Sequence, residues 1–470
     1  MERLIIIFGI TTAYVVFCTL YGSWSIRRTK DTGSFMNAKN QLGPLMVGFL
    51  LMSEVIGAAS TLGTSQAAFS KGISASWNVL SLGLGYFLYS KLMAARYQSL
   101  GVYTISGALA SAYGKGMRTV VSLTMIYALV ILTVATIVGG AATLSVLLNI
   151  SMPTAVLVIG LAATINVTCG GIRGVGNVNV IHTAAKYLGL LIISVVAWQL
   201  LAETPGAMDA FRNLPDTFFS PFGMGESTLL AWTVANVGTI FATQYVMQCI
   251  GSLSSPADAK KASLIASVAI LPIGLFAAFI GMSAHVLFPT VASVQALPIF
   301  FNHMNPWLAG IGVAGIAAAT FVTILVCQLG ITALVMSDFY TPLVKPDEKH
   351  SMRATRIISV IAGLVPIPFA IYAPGILKTV FFARSLRTAL AALVLIMFFA
   401  PWMGNKRSAV AALVISVVLI SVWMALGNPW GIDNIYIAAV VPVVVMAIGH
   451  LFGGKPTEAK PAATSFNQPA

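Results

Sequence analysis

Residues 52–65 read MSEVIGAASTLGTS, and they decide how the rest of the chain is understood. They lie inside an apolar stretch, 45–69, that is long enough to cross a bilayer core, which takes about 20 residues of helix. Within it sit a carboxylate, Glu54, and a run of small and hydroxyl-bearing residues: Gly57, Ser60, Thr61, Gly63, Thr64 and Ser65. A carboxylate at bilayer depth costs roughly 3 kcal/mol, so it faces a cavity or a partner rather than lipid. Glycine among hydroxyls lets a helix open, and opened backbone is tolerated at that depth only where protein buries it or it lines a cavity. Two readings of Glu54 follow: a contact for a coupling ion or substrate, or a protonated packing residue. The glycines likewise fit either an opened helix or close helix packing.

The flanking sequence leaves one class of protein. Of 470 residues, 58% are apolar and 8% charged, with a mean hydropathy of +0.91, whereas soluble domains run near about a quarter charged. A β-barrel would alternate apolar and polar positions, but 411–422 is apolar on every face. Twelve further apolar stretches can be marked, at 4–22, 77–95, 120–148, 155–169, 181–201, 229–250, 264–288, 308–336, 357–373, 380–402, 410–426 and 435–452. The sequence therefore predicts an all-α integral membrane protein with about thirteen transmembrane helices. The first stretch lacks a basic leader and a small-residue cleavage site, and is read as a span rather than a signal peptide.

Charge sets the topology. The net charge of +13 reflects Lys and Arg gathered in cytoplasmic loops rather than an affinity for nucleic acid. With the N-terminus outside, the inner loops and tail hold 18 of the 26 basic residues and the outer segments 4, namely Arg3, Lys71, Arg212 and Lys378. Lys91, Lys186, Arg384 and Arg387 fall within or at the ends of spans. That ratio places the N-terminus outside and the C-terminus in the cytoplasm, with 453–470 a disordered tail. Of thirteen carboxylates, twelve, Asp338 among them, are assigned to loops and tails, which leaves Glu54 as the one buried acid.

Other polar groups are fewer. Thr320 and Thr323, three apart in the ninth stretch, share a helix face, where their hydroxyls can bond their own backbone or act as hard oxygen ligands. The seventh stretch carries a polar seam of Trp232, Asn236, Thr239, Thr243, Gln244 and Gln248. The four cysteines are scattered through apolar surroundings and read as packing residues. The five histidines are not grouped at ligand spacing, and no nucleotide loop or nucleophile elbow is present, so neither a metal site nor a cofactor is expected.

Residues 32–77, ending in GISASW at 72–77, resemble the opening of the sodium:solute symporter family. Further resemblances run in order along the chain: GGIRGV at 170–175, QYVMQCIGSLSSPADAKKA at 244–262, CQL at 327–329, SDFY at 337–340 and APWMGNKRSA at 400–409. The resemblance implies a LeuT-type fold of two five-helix inverted repeats, about 45–201 and 229–402, in a single transmembrane domain, 1–452, with the site at their interface. It implies secondary transport by alternating access, with a Na+ site formed by Ser53 and Ile56 (carbonyls), Thr320 (carbonyl) and Thr323 (hydroxyl). Ile324 stands where the family usually offers a second hydroxyl, so Glu54 either replaces that ligand or carries H+ as the coupling ion.

Glu54, Gly57, Ser60, Thr61 and Asn236 are the candidate substrate or coupling residues. The expected protein is a cation-coupled importer of a small organic solute, in contact with lipid, in the inner membrane of a bacterium, as a monomer or loose oligomer. A membrane-embedded transferase would need acids or histidines grouped near one membrane face, and a channel would need a ring of charges or a repeated filter. The solute stays open. Glu54 suits an amine, whereas Arg384 and Arg387 hold a carboxylate only if the eleventh span starts before residue 380.

Overall fold

Each apolar stretch marked in the sequence folds as a helix or a helix pair in the computed structural model, which describes residues 2–26, 43–167, 171–373 and 375–452. The expected tail at 453–470, Cys169 and the polar loop at 32–42 lie outside the described residues. The main helices are α1 (Glu2–Ile26), α2 (Pro44–Val55), α3 (Ala58–Lys71), α4 (Trp77–Leu92), α5 (Ala94–Leu100), α6 (Ile105–Tyr113), α7 (Lys115–Leu148), α8 (Met152–Val167) and α9 (Gly171–Glu203). After an irregular segment come α10 (Glu226–Ala242), α11 (Gln244–Gly251), α12 (Pro256–Ala269), α13 (Leu271–Leu287) and α14 (Pro306–Val335). The chain closes with α15 (Glu348–Leu364), α16 (Pro366–Ile371), α17 (Ile376–Phe399), α18 (Lys406–Ala425) and α19 (Asn434–Leu451). Among the described residues, eight helices are long and apolar enough to cross a membrane, and the bent pair at α2 makes a ninth.

Two helices break where the sequence offers something other than a helix former. Pro44 starts α2 at its first turn, where a missing N–H costs nothing. The helix then stops at Ile56 (φ −94°, ψ 70°) and restarts after an extended Gly57, with a bend of 53°. A Cβ at Gly57 would run into the Thr323 side chain, so this close approach of α14 requires glycine. The second break falls at Thr243 (φ −73°, ψ 130°), between α10 and α11. Both breaks leave backbone groups without their helical partners in the protein interior.

Around the breaks, burial sorts the helices. In α14 and α17, 83% of the apolar window is buried, against 28% in α19 and 33% in α18. Thus α14 and α17 form the centre, and α18 and α19 pack on each other at the margin. Helix α14 lies against α9, α1 and α7, while α17 lies against α10 and α7, and α3 packs on α13.

One expectation is corrected here. Asp338 does not sit in a loop: the helical path of α14 continues through a π turn, Met336–Tyr340, and on to Val344. That continuation carries the Asp338 side chain inward, to 1% exposure. The chain therefore buries a second acid besides Glu54.

Candidate functional site

Glu54 occupies the last turn of α2, one residue pair before the break. It is 1% exposed, and neither carboxylate oxygen accepts a hydrogen bond. The nearest cation is Arg387 of α17, whose Nη1 stands 3.7 Å from Oε1, an ion pair just beyond hydrogen-bonding distance. The same Nη1 donates to Thr243 Oγ1 at 3.1 Å, at the second break. One guanidinium thus joins α17 to both broken helices. Helix α17 begins at Ile376 rather than near 380, which moves Arg384 and Arg387 two to three turns inside it and buries them to 5% and 2% exposure.

Arg384 is held by a short relay. Its Nη1 donates to Asn78 Oδ1 at 2.7 Å, and its guanidinium lies 4.9 Å from the Phe381 ring centroid. Asn78 on α4 donates in turn to Thr64 Oγ1 at 2.9 Å. Asn236 donates to the Asn78 carbonyl at 3.1 Å and to Ser81 Oγ at 2.6 Å. Asn236 therefore fixes α4 behind Arg384 and does not face the space in front of it.

That space is a small cavity lined by Glu54, Gly57, Ser60, Thr136, Thr239, Thr323, Arg384 and Arg387, with Val55, Ala59, Leu82, Leu132 and Ala383 as its apolar walls. Of the residues expected at the site, the fold brings Glu54, Gly57, Ser60 and Thr323 onto this cavity. The Thr323 hydroxyl points to the Glu54 carbonyl at 3.4 Å, and Ser60 Oγ donates to the Val55 carbonyl at 2.6 Å, so hydroxyls from two helices cover carbonyls freed by the break. Thr61 bonds back to Gly57 and Ala58. Thr320 bonds back to Ile316 at 2.9 Å and lines a separate cavity beside Phe8 and Thr143. Ile56 and Ile324 are buried in the packing around the break.

The least expected member is Lys186. It comes from α9, is 2% exposed, and donates from Nζ to the Ser53 carbonyl at 3.0 Å and to Ser53 Oγ at 2.7 Å. The sequence treats this lysine as one charge near the end of a span. A usable signal was present all the same, because a buried ammonium at depth calls for a buried acceptor on another helix. Three cationic side chains, Lys186, Arg384 and Arg387, now surround one carboxylate.

Comparison with known proteins gives consistent results. The sequence model of the Sodium:solute symporter family matches residues 35–416. The uncharacterized symporter YwcA of Bacillus subtilis (strain 168) is 26% identical over 460 residues, spanning 89% of this chain and 88% of its own. Among solved structures, a Na+-coupled sialic acid symporter in a substrate-bound outward-open state superposes with a TM-score of 0.80 at 18% identity, over 96% of this chain and 98% of that one. Mhp1, a nucleobase-cation-symport-1 family transporter in a closed conformation with bromovinylhydantoin bound, gives 0.56 at 16% identity, over 90% and 96%. At these identities the two structures speak for the fold, which is LeuT-like.

Proposed function

Because the chain belongs to the sodium:solute symporter family, we propose that it imports a small organic solute across the cytoplasmic membrane by alternating access around the cavity at the two helix breaks. It is a cation-coupled solute symporter, a secondary transporter rather than an enzyme. The observation that carries the placement is Arg387, 3.7 Å from Glu54 and 3.1 Å from Thr243: one side chain meets both opened helices. Thirteen crossings with the N-terminus outside are supported by the 18-to-4 distribution of basic residues. Repeats over about 45–201 and 229–402 are supported by a break in the first helix of each. Such half-helix ends at the midplane are where secondary transporters bind solute and ion.

Two readings of the coupling ion remain, each with its own support. In the first, Na+ binds between the end of α2 and α14, using Ser53, Ile56, Thr320 and Thr323; Thr323 against the broken helix favours it. In the second, the Lys186 side chain itself occupies the cation position. Its ammonium already engages both oxygens of Ser53, and Ile324 adds no oxygen. Transport would then proceed without Na+ at that position, with H+ driving the cycle and Glu54 the buried acid at hand. Whichever ion couples, adjoining ion and solute sites strengthen each other's binding by the same factor.

Uptake into proteoliposomes under a Na+ gradient or a pH gradient alone, in wild type and Lys186→Met, separates the two. Under the first reading wild-type uptake rises with Na+ at least tenfold. Under the second it is indifferent to Na+, and Lys186→Met either gains Na+ dependence or stops transporting. Na+-stimulated uptake in wild type, unchanged in Lys186→Met, would discard the resident ammonium.

A further inference from the structure

We propose that the solute is an organic anion, a short-chain monocarboxylate, held by the free edge of the Arg387 guanidinium with Arg384 beside it. This rests on the symporter reading above and names the class of cargo. The argument begins with which donors are spent. Arg387 Nη1 is engaged by Thr243 and faces Glu54, whereas Nε and Nη2 are buried without a hydrogen-bond partner. Those two nitrogens lie on one edge of the guanidinium and point parallel N–H bonds outward, the fork that takes both oxygens of a carboxylate at once. A buried charged donor left unsatisfied is costly, and here two adjacent ones are left on a residue that lines the cavity.

Charge leads to the same class. Three basic side chains, Lys186, Arg384 and Arg387, gather around one acid, Glu54, all four at 5% exposure or less. Glu54 does not fill the fork, since neither of its oxygens accepts a hydrogen bond. A cationic solute would meet a surplus of its own sign, and a neutral one would leave that surplus in place. An anion reduces it. The suitability of Glu54 for an amine, drawn from the sequence alone, is thus outweighed by its neighbours.

Size narrows the class further. The cavity is small, and Leu82, Leu132, Ala59 and Ala383 are among its walls. Thr239 adds a buried hydroxyl with no partner. A carboxylate of about two to three carbons in all, with at most one further polar atom, matches that lining.

The test is binding to the purified full-length protein, read as a rise in its thermal unfolding midpoint. The probes are acetate, propionate and pyruvate, against the isosteric neutral acetamide and propionamide, against chloride, and against alanine and glucose. Carboxylates are expected to stabilise and their amides not to. Arg387→Lys keeps the charge but loses the fork, and should raise the half-saturating carboxylate concentration about tenfold to a hundredfold. Should Arg387→Lys fail to fold, Thr239→Val, expected to weaken pyruvate binding by a factor of about 3–10, provides the second reading.

Equal stabilisation by amides or by chloride, or carboxylate binding that neither variant weakens, would overturn the proposal. Cation-driven accumulation of alanine or glucose, with no effect of carboxylates, would remove the anion and leave symport standing. Tight carboxylate binding with no accumulation under either gradient would do the reverse.

Discussion

The side chains of Glu54 and Asp338 are buried to the same degree, each 1% exposed, yet they sit in opposite chemical circumstances. Asp338 accepts hydrogen bonds from the hydroxyls of Ser106, Ser122 and Ser337, with Arg118 Nη1 3.9 Å away. Those serines come from α6, α7 and the π turn after α14, so the carboxylate staples three segments together. The Glu54 carboxylate accepts no hydrogen bond, and has only a guanidinium at 3.7 Å and a cavity in front. Burial alone therefore does not separate an acid that holds the fold from one proposed to act in transport. Satisfaction of its oxygens does, because a fully bonded buried carboxylate rigidifies its surroundings while an unbonded one is kept at a cost.

Exchanging the two acids for neutral residues is the sharpest way to break this contrast. Glu54→Gln should lower transport per folded molecule about a hundredfold or more, because the buried Arg387 loses its counter-ion. Asp338→Ala should remove three hydrogen bonds and cost about 1–3 kcal/mol of stability, seen as a lowered midpoint, with transport per folded molecule within a factor of about three. The reverse outcome in the two assays would invert the assignment. A further effect, of about tenfold, is expected from Gly57→Ala, since even one methyl group meets the Thr323 side chain and overpacking costs about 1–3 kcal/mol. Thr323→Ala in the same chain should restore part of that loss, and simple additivity of the two would show that the contact does not matter.

The smallest effect belongs at the surface, where a carboxylate does neither job. Asp347 caps α15, accepting from the His350 N–H at 2.8 Å and pairing with its ring at 2.6 Å, and these bonds hold its carboxyl below the usual aspartate range. A depressed value contributes stability above the ordinary aspartate range and loses it as pH falls through the depressed one. Amide-exchange protection in the first turn of α15 should therefore be full near neutrality and drop in strong acid. A cap equally protected at both extremes would show that the carboxylate contributes nothing.

Most of the architecture was legible in hydropathy, because a bilayer makes span length and apolarity the same requirement. The break at Ile56 and Gly57 was legible too, from glycine among hydroxyls beside an acid. The break at Thr243 was not, since a lone threonine in an apolar helix is unremarkable. Asp338 was misplaced because the pattern of α14 fades at Met336 while its backbone continues helically. Arg384 and Arg387 depended on a helix start displaced by about one turn, and such ends are the least determined feature of a sequence. Lys186 was hidden for a different reason: its partner, the Ser53 carbonyl, is a backbone atom freed by a break on another helix, and no residue letter records it.

The ammonium at Ser53 also bears on where the work comes from. A dissolved ion does work for a transporter because it enters from one compartment and leaves to the other, at two different concentrations. A cation fixed to the chain by four methylenes leaves to neither. Its local concentration is set by the tether and stays the same whichever way the cavity opens. While it stays protonated it can shape the site and hold its potential, but the tethered amine itself passes between no compartments, so whatever drives accumulation has to be a species that exchanges with both solutions, the proton on that amine included.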